Sequence, residues 1–187
     1  MKALMCDSTK NELLIVLSVD GKVYSKSVQG KKGHSSLIME LIDSLFQQAD
    51  ITPNDIDVYS VCIGPGSFTG IRIGVSVFNA LAYATNAKRV EINAFELKSH
   101  GLNDGVFTID AGNGNLYVCN KSDGKYELSF VESGNVADIV STESDVDYPL
   151  AFKELVEEKY FKGEFVSSFK PLYLRKSQAE RNLDEKA

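Results

Sequence analysis

The sequence is poor in the residues that most catalytic and redox sites need, with three cysteines and two histidines in 187 residues. Cys6, Cys62 and Cys119 lie far apart, lack Cys-x-x-Cys spacing and sit among apolar neighbours. They read as reduced core residues rather than a redox or metal set. His34 and His100 are too distant to make the His-x-x-x-His pair of a helical metal site, which argues against metal-dependent hydrolysis and predicts no metal ligands. His34 reads as a helix-start residue, with ligand or base as the alternative. His100, in Lys98-Ser99-His100-Gly101, reads as an exposed loop residue. No apolar run approaches the roughly 20 residues that span a bilayer. Asp7 follows only four uncharged positions, too short for a signal-peptide core. A soluble, cytoplasmic protein without membrane contact is expected. Positive charge is not in excess either. The net charge of −6 repels polyphosphate at long range, so any link to RNA is expected to be indirect, through a partner.

What is present is 43% apolar content, enough for one large domain or two small ones. Ala3 to Cys6, Leu13 to Ser18 and Lys22 to Val28 read as three strands in meander, with Asp20-Gly21 as the tight turn. After Gly30-Lys31-Lys32-Gly33 an amphipathic helix runs to Ala49, capped by Ser35 or Ser36, with Leu37, Ile38, Leu41, Ile42, Leu45 and Phe46 on one stripe. Thr52 to Asp55 is a turn or short helical start, and Val58 to Ile63 is a buried strand. The helix beginning near Thr69 or Gly70 and the short strand Arg89 to Ile92 complete a strand-helix-strand crossover of the kind that builds parallel sheets. A second unit, Val106 to Asp110, Leu116 to Cys119 and Tyr126 to Val131, repeats the opening meander. Both units start with a strand ending in aspartate, Asp7 and Asp110, which suggests two related halves. A polar stretch from Glu132 to Asp147 and a helix from about Pro149 to Glu158 follow, and the tail from Ser177 is expected to fray.

Between the buried strand and the second helix lies Gly64-Pro65-Gly66-Ser67-Phe68-Thr69-Gly70-Ile71-Arg72-Ile73-Gly74, where α/β proteins place phosphate-binding loops. It is neither standard motif: there is no Gly-Lys-Ser/Thr, and Thr69 stands where the dinucleotide fingerprint needs its third glycine. One reading is structural. Gly64 and Gly66 permit positive φ around Pro65, Thr69 caps the helix, and Gly70 and Gly74 allow close approach of another backbone. The other is that free amides at the helix start, with Arg72 nearby, hold an anion. The helix itself is apolar nearly all round, with only Ser76, Asn79 and Tyr83 as a polar edge. One sheet cannot cover it, so either it is enclosed by its own domain or it forms a subunit interface with the Leu41-bearing helix.

The glycine-rich segment resembles the signature of the TsaB (YeaZ) family. Asp7-Ser8-Thr9, His34-Ser35, Asp110-Ala111 and Pro171-Leu172-Tyr173-Leu174-Arg175 are similar in order over nearly the whole chain. The resemblance implies an α/β, actin-like (ASKHA, ribonuclease H-like) fold of two related halves. Residues 1–101 would form an N-terminal subdomain carrying the partner-binding helices, and residues 102–187 a shortened C-terminal subdomain with a polar tail. It implies a non-catalytic subunit that binds and activates TsaD in threonylcarbamoylation of the adenosine beside the anticodon of tRNAs reading codons that begin with A. TsaD would be held as a heterodimer, TsaE would join a larger complex, and the isolated chain would form a homodimer. No cofactor of its own is implied, ATP or ADP entering only at the partner interface. The contacts would come from the helices Ser36 to Ala49 and Gly70 to Thr85, through Leu37, Leu41, Leu45, Gly70, Gly74, Val77, Phe78, Ala80, Leu81 and Ala84.

Two departures from the family pattern keep an alternative open. Gly112-Asn113-Gly114 follows Asp110-Ala111 where the family has a basic residue, and resembles the phosphate turn of actin-like ATPases. The region after Val140 also reads as shorter. An independent ATPase or small-molecule kinase would use Asp7 and Asp110 around magnesium, with Ser67, Thr69, Arg72 and Gly112 as further candidates for anion or nucleotide contact. The structural reading of both aspartates is that each caps a turn by accepting backbone amides. Ser67 lies on a strand-to-helix turn, but the segment is not Gly-x-Ser-x-Gly, which disfavours a hydrolase. Lys170, Arg175, Lys176 and Arg181 form a basic concentration, either a solvated helix end or a handle for the partner or its tRNA.

Overall fold

The computed structural model describes residues 1–30 and 33–175, apart from the side chain of His34. The expectations for Lys176, Arg181, the tail from Ser177 and the His34 side chain lie outside the described residues.

Short, largely apolar runs buried on both faces, with an alternating edge strand, build the first sheet. Strands β1 (Lys2–Asp7), β2 (Glu12–Val19) and β3 (Lys22–Gln29) form an antiparallel meander, and β4 (Val58–Cys62) and β5 (Lys88–Ile92) add in parallel, giving the order β3-β2-β1-β4-β5. Asp20 and Gly21 both take positive φ (49° and 90°), the mirror-image turn whose twist matches its flanking strands. Central strand β1 sends Leu4 and Cys6 to one face and Ala3 and Met5 to the other, and all four are buried because both faces are covered.

Helices α1 (His34–Ala49) and α2 (Phe68–Ala84) cover the first of these faces. Ile38, Ile42, Leu45, Ile71 and Phe78 pack there on Leu4, Leu13, Ile15 and Val61. α1 starts two residues earlier than expected and is capped by neither serine. Gly33, left-handed at φ 104°, takes the cap position without a side-chain bond, and the Ser36 hydroxyl donates to the Gly33 carbonyl (2.9 Å). Helix α4 (Tyr148–Lys162) covers the opposite face, burying Phe152, Leu155 and Val156 against Met5, Val16, Val58 and Val90. Asp147 caps α4 by accepting from Leu150 N (3.1 Å), and Gly163 ends it at φ 73°.

The second sheet is a three-stranded antiparallel meander of β6 (Gly105–Gly112), β7 (Asn115–Ser122) and β8 (Lys125–Val131). Its core, with Phe107, Tyr117 and Cys119, faces Phe95 of the short helix α3 (Ala94–Lys98). The three strands beyond residue 101 thus form a sheet of their own, whereas α4, also beyond residue 101, packs on the first sheet. His100 lies in the turn after α3, as expected, but is half-buried rather than exposed. Its side chain is 22% exposed and its Nε2 lies 2.8 Å from Glu154 Oε2, tying the end of α3 to α4.

Candidate functional site

The glycine-rich segment presses the start of α2 onto the turn after β1. Ser67 N donates to the Thr9 carbonyl (2.8 Å), and the Ser8 hydroxyl donates to the Gly70 carbonyl (2.8 Å). A Cβ at Gly66 would collide with the Thr9 backbone, and one at Gly70 with the Ser8 carbonyl oxygen. At Gly74 it would meet Ser8 Oγ at 2.5 Å. Gly64 does adopt φ 112°, but Gly66 has no positive φ, so close approach rather than backbone conformation demands glycine there. The helix begins at Phe68, and its cap is Ser67, whose Oγ accepts from Gly70 N (3.3 Å), not Thr69. The Ser67 Oγ thus serves as the helix cap while the residue also lines the cleft between α2 and the β6–β7 turn.

The candidate anion-binding residues divide between places. Ser67, Thr69, Asp110 and Gly112 line one cleft of about 540 Å³ between α2 and the β6–β7 turn, with Lys10, Phe68, Tyr117 and Arg175. Asp7 lines instead a smaller cleft of about 320 Å³ beside Glu12, Tyr148 and Lys10, which lines both. Arg72 lines neither; its Nε donates to the Tyr173 hydroxyl (2.9 Å). The two strand-end aspartates follow their structural reading. Asp7, 2% exposed, accepts on Oδ1 from Thr9 N (2.9 Å) and Thr9 Oγ1 (2.6 Å), while Oδ2 faces Lys10 Nζ at 3.8 Å. Asp110 Oδ1 accepts from Gly112 N (2.8 Å). Gly112 N, the amide that an actin-like phosphate turn would offer, is therefore already paired. Among the described residues no cluster of three or more His, Cys, Asp or Glu side chains is arranged to hold a metal. The thiols of Cys6 and Cys62 are pushed up by burial, with Asp7 adding repulsion, so both stay protonated.

The candidate contact residues on α1 and α2 also divide. Leu45 and Phe78 are fully buried, and Gly70 and Gly74 are buried against β1 and its turn, so these four belong to the core rather than to a surface. Leu37, Leu41, Val77 and Leu81 are half-buried on the same side of the sheet. Ala80 and Ala84 are exposed, and beside them stands Tyr83, 85% exposed, which sequence reasoning had placed on the polar edge. The flank of α2 that one sheet could not cover is partly covered by the chain's own residues 166–173. Val166, Phe169 and Leu172 pack into the first core, and Phe68 stacks on Tyr173 with ring centroids 4.5 Å apart. That coverage carries no periodic signal in the sequence.

Comparison with known proteins adds lineage to this geometry. Residues 28–173 match the family model described as TsaD: tRNA N6-adenosine threonylcarbamoyltransferase. The tRNA threonylcarbamoyladenosine biosynthesis protein TsaB of Bacillus subtilis (strain 168) is 32% identical over 123 residues, 63% of this chain and 54% of that protein. The protein of the same description from Haemophilus influenzae is 25% identical over 146 residues, 74% of this chain and 61% of that protein. The tRNA N6-adenosine threonylcarbamoyltransferase of Chlorobium phaeobacteroides is 29% identical over 102 residues, 49% of this chain and 29% of the enzyme. The matches thus span less than two thirds of each relative's length. In structure, YeaZ from Pseudomonas aeruginosa superposes with TM-score 0.76 at 16% identity, covering 92% of this chain and 99% of that one. An uncharacterized protein with similarity to peptidase YEAZ, also from Pseudomonas aeruginosa, gives TM-score 0.79 at 18% identity over 93% of this chain and 99% of the other. The fold is the actin-like α/β fold, with mixed first sheet and flanking helices.

Proposed function

We propose a partner-binding role in tRNA modification, on the premise that this chain belongs to the tRNA N6-adenosine threonylcarbamoyltransferase family and, within it, to the TsaB (YeaZ) group. The chain serves threonylcarbamoyladenosine synthesis as an accessory subunit without an active site of its own. It docks the transferase TsaD through α1 and α2 and thereby supports transfer to the adenosine beside the anticodon. TsaE joins as a further partner, and tRNA is met through TsaD.

The observation that carries this reading is the outward face of α2. Ala80 and Ala84 stand exposed beside Tyr83, a small-residue surface with one aromatic anchor, flanked by the half-buried Val77 and Leu81. Small residues let a partner helix approach closely, and tyrosine is among the residues that most often dominate interface energies. Asp7, Asp110 and Ser67 each accept a local backbone amide, from Thr9, Gly112 and Gly70, as turn and helix caps do. No helix among the described residues is long and apolar enough to cross a membrane.

Co-purification with TsaD tests the reading. The native chain is expected to hold TsaD through size exclusion, and Ala80→Arg or Val77→Glu to abolish the complex with the far-UV spectrum unchanged. A folded Ala80→Arg variant that retains TsaD overturns the interface. The second reading, an actin-like ATPase, is favoured by the cleft that Asp110, Gly112 and Lys10 line. Calorimetry with ATP and magnesium on the isolated chain separates the two, since absence of heat at millimolar ligand removes it.

A further inference from the structure

Residues 166–175 contain neither helix nor strand, yet they are tied along their length to the elements that position α2. Val166 N donates to the Arg89 carbonyl in β5 (3.0 Å). The Asn79 side chain makes a reciprocal pair with the backbone of one residue, donating Nδ2 to the Phe169 carbonyl (3.1 Å) and accepting from Phe169 N on Oδ1 (2.9 Å). Leu172 N then donates to the Ile63 carbonyl at the end of β4 (2.8 Å). Tyr173 stacks on Phe68 at an interplanar angle of 16° and accepts from Arg72 Nε. The segment ends in the second half, where the Arg175 guanidinium lies over Tyr117 and Phe130 at 5.8 and 5.5 Å.

These ties complement the glycines. Gly70 and Gly74 set how near α2 comes to β1, but having no side chains they interlock with nothing along the helix's length. Asn79 and the Phe68–Arg72 turn grip the helix at its middle and its start. Asn79 immediately precedes Ala80, so its clamp sits beside the exposed small-residue face.

We propose that residues 166–175 are a strap that fixes the seating of α2, with Asn79 and Tyr173 as positioning residues for the face at Val77, Ala80 and Ala84. The consequence for partner affinity rests on the docking reading above; the seating of α2 does not.

The test uses the full chain carrying Asn79→Ala, Tyr173→Ala or the conservative Tyr173→Phe, read by hydrogen exchange in isolation and by TsaD affinity. Both alanine variants are expected to speed exchange of the α2 amides about tenfold or more while β1, β2 and β4 keep their protection. Kd for TsaD should weaken about tenfold alongside, through loss of pre-organisation. Tyr173→Phe keeps the ring stack and loses the hydroxyl, so it should fall between. Unchanged α2 exchange, or equal acceleration throughout the first sheet, overturns the strap. If the native chain fails to bind TsaD, the docking reading falls, and the exchange result still decides the strap.

Discussion

Gly70→Ala isolates the contact on which the glycine-rich segment depends. An added Cβ would overlap the Ser8 carbonyl oxygen, a backbone atom that no side-chain rotation can move aside. Overpacking of this kind typically costs about 1–3 kcal/mol. Displacement would also stretch the buried bond from Ser8 Oγ to the Gly70 carbonyl, 2.8 Å long, and losing it costs about 1–3 kcal/mol. Alanine's better helix propensity returns about 1 kcal/mol. The net loss is about 3 kcal/mol, which in a chain of this size lowers Tm by about 6–12 °C. Gly74→Ala should lose less, because its nearest neighbour at 2.5 Å is the hydroxyl end of Ser8. Gly134→Ala is the control: no heavy atom lies within 4 Å of a Cβ there and its φ is not positive, so it should stay within about 0.5 kcal/mol of native. Urea unfolding followed by circular dichroism measures all three. A Gly70→Ala protein as stable as the Gly134→Ala control would refute the close-approach argument.

Three further outcomes follow from the same contacts. The thiols of Cys6, Cys62 and Cys119 should not react with a disulfide reagent at pH 8 in the folded protein and should all react in denaturant, since burial holds them protonated, Cys119 at about 11. Burial raises the Glu91 carboxyl above its ordinary 4.5, outweighing the attraction of Lys159. A raised folded pKa gives stability that is present below the unfolded value and lost as pH rises through the folded one. Glu91→Gln should therefore gain on the native chain between pH 4.5 and pH 7, as urea midpoints at the two pH values would show. Asp147→Ala should lose about 1 kcal/mol through the α4 cap, and Asp147→Asn much less, in thermal melts.

Much of the fold was legible because its signals are local. The short apolar run Ala3 to Cys6 and the Asp20-Gly21 turn define the meander without reference to anything distant. What was misplaced needed a tertiary partner. Ser67 and Thr69 are both competent caps, and in the fold Ser67 takes the position, its N bonded to the Thr9 carbonyl and its Oγ to Gly70 N. His100 reads as exposed until Glu154, far along the chain, is brought beside it. Helix α3 carried a readable capping box, with Asn93 Oδ1 accepting from Glu96 N and Glu96 Oε2 accepting from Asn93 N, but a helix so short offers no periodicity to support it.

The contact residues on α2 show the same limit from the other side. An all-round apolar helix fits both enclosure by its own domain and a subunit interface, and the structure shows part of the enclosure, between a sheet and residues 166–173. Leu45, Gly70, Gly74 and Phe78 went inward because the strands and the Ser8–Thr9 turn were there to receive them. Part of the remaining flank was taken by Val166, Phe169 and Leu172, held in place by Asn79 and by the backbone bonds of Val166 and Leu172 to Arg89 and Ile63. Apolar content therefore bounds the area a helix must cover, but not what covers it. Among the apolar positions of α2, Ala80, Tyr83 and Ala84 are those that neither sheet nor strap covers.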